Sequence, residues 1–146
     1  MNTLLLDAAL GTQLAVNGEM LPDWKNSIWS AHALINKPDS ILKIHLDNIE
    51  AGADVITTSN YYVTPVILAK DSEKHDYKEL TLRALELAQE AIRLSGKDIL
   101  IAGTFPPINV SFRPDLTGTK DELDHFYQSL GEIYKNKVDI ILCESM

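Results

Sequence analysis

Two acidic side chains stand at positions where chemistry is expected. Asp7 follows the aliphatic run Leu4-Leu5-Leu6 and leads into Ala8-Ala9-Leu10-Gly11-Thr12, so a carboxylate is held beside a turn of small residues that lets a ligand approach the backbone. Glu144 follows Ile140-Ile141-Leu142-Cys143, and a charge at the end of a buried run is costly unless a cation or hydrogen bonds meet it. Two further aliphatic runs end in the polar residues Thr57-Thr58-Ser59-Asn60 and in Thr104. Two acids on one pocket suit an ammonium group, such as that of an amino acid, better than a phosphate. General acid–base work by the pair is equally open, and for Asp7 so is capping of the turn that follows it.

Other chemistry-bearing residues lack a pattern. The chain has no G-x-G-x-x-G, no Walker loop, no H-E-x-x-H and no pair of cysteines, so a nucleotide-phosphate cradle is not expected. His32, His45, His75 and His125 are scattered without ligand spacing and read as solvated or packed. Cys143, inside a hydrophobic run, reads as a small buried residue, and no zinc site is spelled. Trp24, Trp29, Tyr61 and Tyr62 fall in segments that either wall a pocket or pack a long loop.

The elements that must position these residues follow from hydrophobic patterning. An Asp leads a short aliphatic run at Asp54-Val55-Ile56-Thr57, at Asp98-Ile99-Leu100-Ile101 and at Asp139-Ile140-Ile141-Leu142. Continuous runs of this kind suit strands buried on both faces of a parallel sheet, and Thr3-Leu4-Leu5-Leu6 reads as a further strand placed first. The three Asp residues stand at the opposite strand ends from the candidate site and are expected to serve helix or turn contacts. Between the runs, apolar residues recur at helical spacing over 38–51, 77–95 and 120–136. Pro38 suits a first turn, Gly52 and Gly96 suit stops, and Thr119-x-x-Glu122 spells a capping box. Segments 9–36, 59–76 and 104–118 read as long loops after strands, whereas the returns to the next strand are short.

Strand and helix therefore alternate, which implies right-handed crossovers and a parallel sheet with its site at the carboxyl ends of the strands. The expected fold class is α/β: a partial (β/α)8 TIM barrel, with the first four parallel strands and three intervening helices in one domain over residues 1–146. An open flavodoxin-type sheet is the alternative, but such chains finish with a helix over the last strand, and none follows here.

Composition limits the partners. The 146 residues are 45% hydrophobic and 23% charged, and 13 Lys plus Arg against 21 Asp plus Glu give a net charge of -8. Nucleic acid and anionic membrane surfaces would be repelled, and no apolar run approaches the roughly 18 residues of a membrane span. A single Cys and a start without a basic head and apolar stretch lead to the expectation of a cytoplasmic protein.

The motifs, taken in order, resemble the homocysteine S-methyltransferase family. Leu5-Leu6-Asp7-Ala8-Ala9-Leu10-Gly11-Thr12-Gln13-Leu14 is similar to the family's opening L-D-G-G/A-M-G-T-E-L, with Ala8 where the first glycine of that turn usually stands. Trp29-Ser30-Ala31 resembles W-S-A, Pro38, Asp39 and His45 resemble the N-P-D…H-x-x-Y/F helix, and Glu50-Ala51-Gly52-Ala53-Asp54-Val55-Ile56-Thr57-Thr58 resembles E-A-G-A-D-I-I-T-T. Ile101-Ala102-Gly103-Thr104-Phe105-Pro106-Pro107 is a looser match to V-A-G-S-x-G-P, and Val138 to Ser145 resembles V-D-x-x-x-x-E-T.

The resemblance implies methyl transfer from a methyl donor to the zinc-bound thiolate of homocysteine, giving methionine. It associates Asp7 and Glu144 with the amino acid moiety of homocysteine, and the substrate-binding set is Asp7, Ala8, Ala9, Thr58, Asn60 and Glu144. In the family the zinc cysteines lie on the second half of the barrel, in G-x-N-C and G-G-C-C-G segments that this chain does not contain. No catalytic or metal-binding residue is therefore assigned here, and zinc-dependent activity of this chain alone is expected to be absent. A homo-oligomer or a partner C-terminal half is expected to cover the two outer strands. The alternatives are a non-catalytic half-barrel that binds an amino acid or a partner, and an aldolase or isomerase sharing only the layout.

Overall fold

The computed structural model describes residues 3–145, so Met1, Asn2 and Met146 of the expected domain lie outside the described residues. Its sheet is parallel and contains β1 (Val55–Thr57), β2 (Leu100–Phe105) and β3 (Ile140–Cys143) in sequence order. Val55 is opposite Leu100, Thr57 is opposite Ala102, and Ala102 in turn is opposite Ile140. The expected first strand is a single parallel bridge from Leu6 to Val55 rather than a ladder. Its backbone is nonetheless fastened: Asp54 N donates to Leu5 O at 2.8 Å and Asp7 N donates to Val55 O at 3.0 Å. Nothing among the described residues covers its outer side, and Leu4, Leu5 and Leu6 remain 55%, 56% and 45% exposed.

The three expected helices are present. Helix α3 (Pro38–Glu50) has Pro38 in its first turn, where the missing N–H costs nothing. Helix α5 (Tyr77–Ser95) buries Leu80, Ala84, Ala88 and Ala91 at three- and four-residue steps. Asp76 caps it by accepting from Lys78 N at 2.7 Å, and Gly96 stops it at φ 64. Helix α6 (Lys120–Tyr134) starts from the capping box, in which Thr119 N donates to Glu122 Oε2 at 2.7 Å while Glu122 N donates to Thr119 Oγ1 at 3.3 Å.

The segments read as loops carry more structure than expected. Residues 9–36 contain α1 (Leu10–Val16) and α2 (Ala31–Asn36), residues 59–76 contain the short α4 (Pro65–Leu68), and residues 104–118 contain a 3-10 turn at Pro114–Leu116. Helices α1 and α2 have no side-chain cap, and tertiary burial compensates: Leu14, Ala31, Ala33 and Leu34 are buried in one core with Ile41 and Ile44 of α3. A second core gathers Ile56 of β1 and Ile101 of β2 with Leu85 of α5 and Phe126, Leu130 and Tyr134 of α6. Since α3 packs on β1, and α5 and α6 pack on β2, both cores support the strand ends that carry the polar residues.

Two expectations change at the strands. The aspartates that lead β1 and β3 hydrogen-bond to the neighbouring strand instead of to a helix or turn: Asp54 Oδ2 accepts from Leu5 N and Asp139 Oδ2 accepts from Ile101 N, both at 2.8 Å. Cys143 is exposed, because β3 is an edge strand that also leaves Ile140 and Ile141 in solvent.

His45 lies on the buried face of α3 with neither ring nitrogen hydrogen-bonded. Burial pushes its pKa down to about 4 from the ordinary value of 6.5, so it is neutral in the fold at neutral pH. Between those values the unfolded chain binds a proton that the folded chain does not, so stability falls as pH falls from 6.5 toward 4, by about 3 kcal/mol across the window. Urea denaturation of the parent and of His45→Leu over that range should show the variant gaining on the parent as pH drops; parallel curves would contradict it.

Candidate functional site

The polar residues predicted at the strand ends meet at one rim. A cavity of about 380 Å3 opens there, a size suited to a small metabolite, and Asp7, Ala8, Ala9, Thr58 and Glu144 of the expected site line it. Asn60 does not line the cavity: it is fully buried beneath, with its amide bonded to Thr58, Thr104 and Tyr134. Trp29, Ser30, Ser59 and Tyr61 form part of the rest of the wall, with Leu142 and Ser145. Of these, Trp29 and Ser30 belong to the W-S-A triplet, and of the two only Trp29 was read from the sequence as a possible pocket wall.

The aromatic residues of the long segments divide between the two roles left open for them. Trp29 and Tyr61 wall the cavity. Tyr62 is buried in edge-to-face contact with Trp29 at 5.1 Å between centroids, and its hydroxyl donates to Trp24 O, so this pair packs the segment. Gly11 is what allows Trp29 to close over α1, since a Cβ there would lie 2.2 Å from the ring. Tyr61 and Ser111 share a hydrogen bond that ties the segment after β1 to the segment after β2.

Each acid is held by a threonine. Asp7 accepts from Thr57 N at 2.9 Å and from Thr57 Oγ1 at 2.7 Å, so its carboxylate spans the gap between the first bridge and β1. Burial nevertheless raises its pKa above the ordinary carboxylate value, against the lowering effect of those hydrogen bonds. Glu144 Oε1 lies 2.9 Å from Thr104 Oγ1. Burial raises the Glu144 pKa, Thr104 lowers it, and the charge of Asp7 across the cavity raises it again. Among the described residues, neither group thus has the cation that would hold it ionised.

Proton counting at Thr104 sharpens this. Its hydroxyl, with one proton, lies within hydrogen-bond distance of two acceptors, Thr58 O at 3.1 Å and Glu144 Oε1 at 2.9 Å. If Glu144 keeps its proton it donates to Thr104 Oγ1, which is then free to donate to Thr58 O, and every group is satisfied. An ammonium ion between the two acids would replace that proton.

Ala8 is not among the residues with positive φ, so the methyl group that stands in place of the family's glycine imposes no backbone strain. Ser59 is 5% exposed, lines the cavity, and has a hydroxyl with no partner. A zinc ion does not fit the described residues: no three of their His, Cys, Asp or Glu side chains group closely enough to hold a metal. Glu144 lines the cavity whereas Cys143, next to it on an extended strand, projects to the other face, so the thiol is not directed at the acids.

Comparison with known proteins bears on the fold and the family. The sequence profile of the homocysteine S-methyltransferase family matches residues 4–146. The homocysteine S-methyltransferase of Escherichia coli K12 is 29% identical over 98% of this chain and 50% of its own length. Homocysteine S-methyltransferase 4 of Zea mays is 38% identical over 62% of this chain and 26% of its own length. Among solved structures, the oxidized form of the homocysteine methyltransferase MmuM from Escherichia coli superposes with a TM-score of 0.80 at 29% identity, covering 98% of this chain and 53% of that one. Its metallated form gives 0.79 at 27% identity, covering 100% and 55%. The chain thus spans about half the length of its bacterial relatives, and it belongs to the homocysteine S-methyltransferase family.

Proposed function

We propose that this chain is the N-terminal half of a homocysteine S-methyltransferase barrel and binds the amino acid end of homocysteine. The observation that carries the reading is the convergence of Asp7 and Glu144, both with raised pKa, on one cavity with no counter-cation among the described residues. The substrate ammonium bridges the two carboxylates, Ala8 and Ala9 leave room for its approach, and Thr58 and Asn60 hold the wall behind it. The Ser59 hydroxyl, unpartnered and shielded from solvent in the ligand-free chain, rotates toward the cavity to donate to the substrate carboxylate. In the complete enzyme the homocysteine sulfur, as thiolate, takes the methyl group from its donor and becomes the thioether of methionine. Thiol activation would be the work of zinc when bound, on ligands that the second half of the barrel would supply, since the described residues of this chain group none; the location is cytoplasmic.

The sheet edges support a missing half. The segment before β1 and the edge strand β3 both carry aliphatic side chains in water, an arrangement that favours pairing with further strands. A partner half of the same barrel covers both edges, or a second copy does so in its absence. Light scattering at micromolar concentration should give a species larger than the 16.3 kDa chain, returned to that mass by Ile141→Lys. A monomeric parent would count against this part of the reading.

Calorimetric titration of the chain with L-homocysteine tests the site itself. Asp7→Asn and Glu144→Gln should each weaken binding about tenfold or more, equivalent to about 1.4 kcal/mol. Binding needs Glu144 ionised, so affinity should rise with pH through its raised pKa and level off above it, with proton release to the buffer on the rising part. Affinity that is flat with pH and unmoved by both substitutions would overturn the assignment. Binding that behaves as expected in the chain, but no methyl transfer once a zinc-bearing second half is supplied, would favour the non-catalytic amino-acid-binding alternative.

Ser59→Ala separates a ligand contact from a packing role. Removing a buried unpaired hydroxyl should leave stability to urea unchanged or slightly raised. The same change should weaken L-homocysteine binding about fivefold, the scale of one net hydrogen bond, while leaving the decarboxylated amine unaffected. Equal loss for both ligands would remove Ser59 from the carboxylate subsite.

A further inference from the structure

Behind the cavity lies a closed layer of buried polar groups that substrate contact alone does not explain. Tyr134 reaches it from the last turn of α6, with its ring against β2 at Gly103, where a Cβ would lie 2.9 Å from Cδ2 and 3.0 Å from Cε2. The hydroxyl donates to Asn60 Oδ1 at 2.9 Å and lies 2.9 Å from Thr58 Oγ1. Thr58 Oγ1 also donates to Asn60 Oδ1 at 2.7 Å and accepts from Thr104 N at 2.9 Å. Asn60 Nδ2 donates to Thr104 O at 3.2 Å, which fixes the amide orientation. Thr58, Asn60, Thr104 and Tyr134 are all buried to 2% exposure or less, and the one cavity-facing group joined to them through Thr104 is Glu144.

We propose that Tyr134 is a positioning residue for Glu144: its hydroxyl locks Asn60 and Thr58, which hold Thr104 by backbone and side chain, and Thr104 presents its hydroxyl to the Glu144 carboxyl. The inference deepens the functional reading above, since it takes Glu144 as the group that meets the substrate ammonium. A core tyrosine without this role needs only its ring; here the hydroxyl is threaded past a glycine into a layer where each partner is itself held by another. Burial keeps the phenol neutral far above its ordinary pKa, so it acts as a fixed donor. Among titratable groups, Asp7 faces Glu144 across the cavity and its charge raises the Glu144 pKa, while the charge of Glu144 in turn raises the pKa of Tyr134 behind Thr104.

The test is a pH titration by carbon NMR of the full 146-residue chain, labelled at the glutamate carboxyl and the tyrosine ring Cζ, without ligand. In the parent, the Tyr134 Cζ signal should move with the midpoint of Glu144. Tyr134→Phe should shift the Glu144 midpoint upward, as Thr104→Val does more strongly by removing the hydrogen bond to the carboxylate, whereas Thr104→Ser should keep the parent midpoint. L-homocysteine binding to Tyr134→Phe should weaken about fivefold at a pH near that midpoint. A Tyr134 signal indifferent to Glu144, or an unmoved Glu144 midpoint in Tyr134→Phe whatever its stability, overturns the inference; the first measurement needs no variant to fold. Coupled signals in a chain that binds no homocysteine would instead remove the functional reading and leave the coupling in place.

Discussion

A carboxyl group withdrawn from water must find a cation or keep its proton, and the site is organised around that choice. Asp7 and Glu144 sit on opposite sides of one cavity, each within reach of a threonine hydroxyl and neither with a basic partner among the described residues. Each hydrogen bond lowers the cost of ionisation without abolishing it. The ligand-free site therefore stores a preference for positive charge. The short parallel strands, the small residues after Asp7 and the polar layer behind Thr104 all bear on how that preference is aimed.

The fold delivers this arrangement with little sheet. Three short strands and one bridge bring the four strand ends together, and the depth of the core comes from helices. The two cores have separate tasks. One seats the segments that carry Trp29 and Tyr62 together with α3, and so shapes the cavity wall. The other seats α6 against β2, and so sets where Tyr134 enters. Bare aliphatic edges on either side of the sheet are consistent with relatives that are twice as long.

Much of this was legible in the residues. The alternation of Asp-led aliphatic runs with helical periodicity gave the parallel order, and α5 begins and ends where its periodicity and caps place it, at Tyr77 and Ser95. Asp7 and Glu144 could be found because an acid at the end of an apolar run contradicts the local pattern. The helices α1 and α2 were missed because neither has a capping side chain or enough length to show periodicity, and they exist through contacts with α3 that are remote in sequence. Asn60 was found as a polar strand-end residue, but its depth was not visible, since its partners Thr104 and Tyr134 lie 44 and 74 residues away. Cys143 reads as buried by composition and is exposed because burial at an edge strand depends on a neighbour.

The aspartate fastenings at the strand starts have a consequence for how such a chain comes together. Asp54 ties down Leu5 and Asp139 ties down Ile101, so in each case the side chain that secures a strand arrives in sequence only after the helix that follows that strand. On a ribosome, these two segments would emerge loosely held and be latched when Asp54 and Asp139 appear. At these two points assembly runs in the direction of synthesis, whereas the start of β2 is joined to that of β1 through the backbone, Leu100 N donating to Asp54 O.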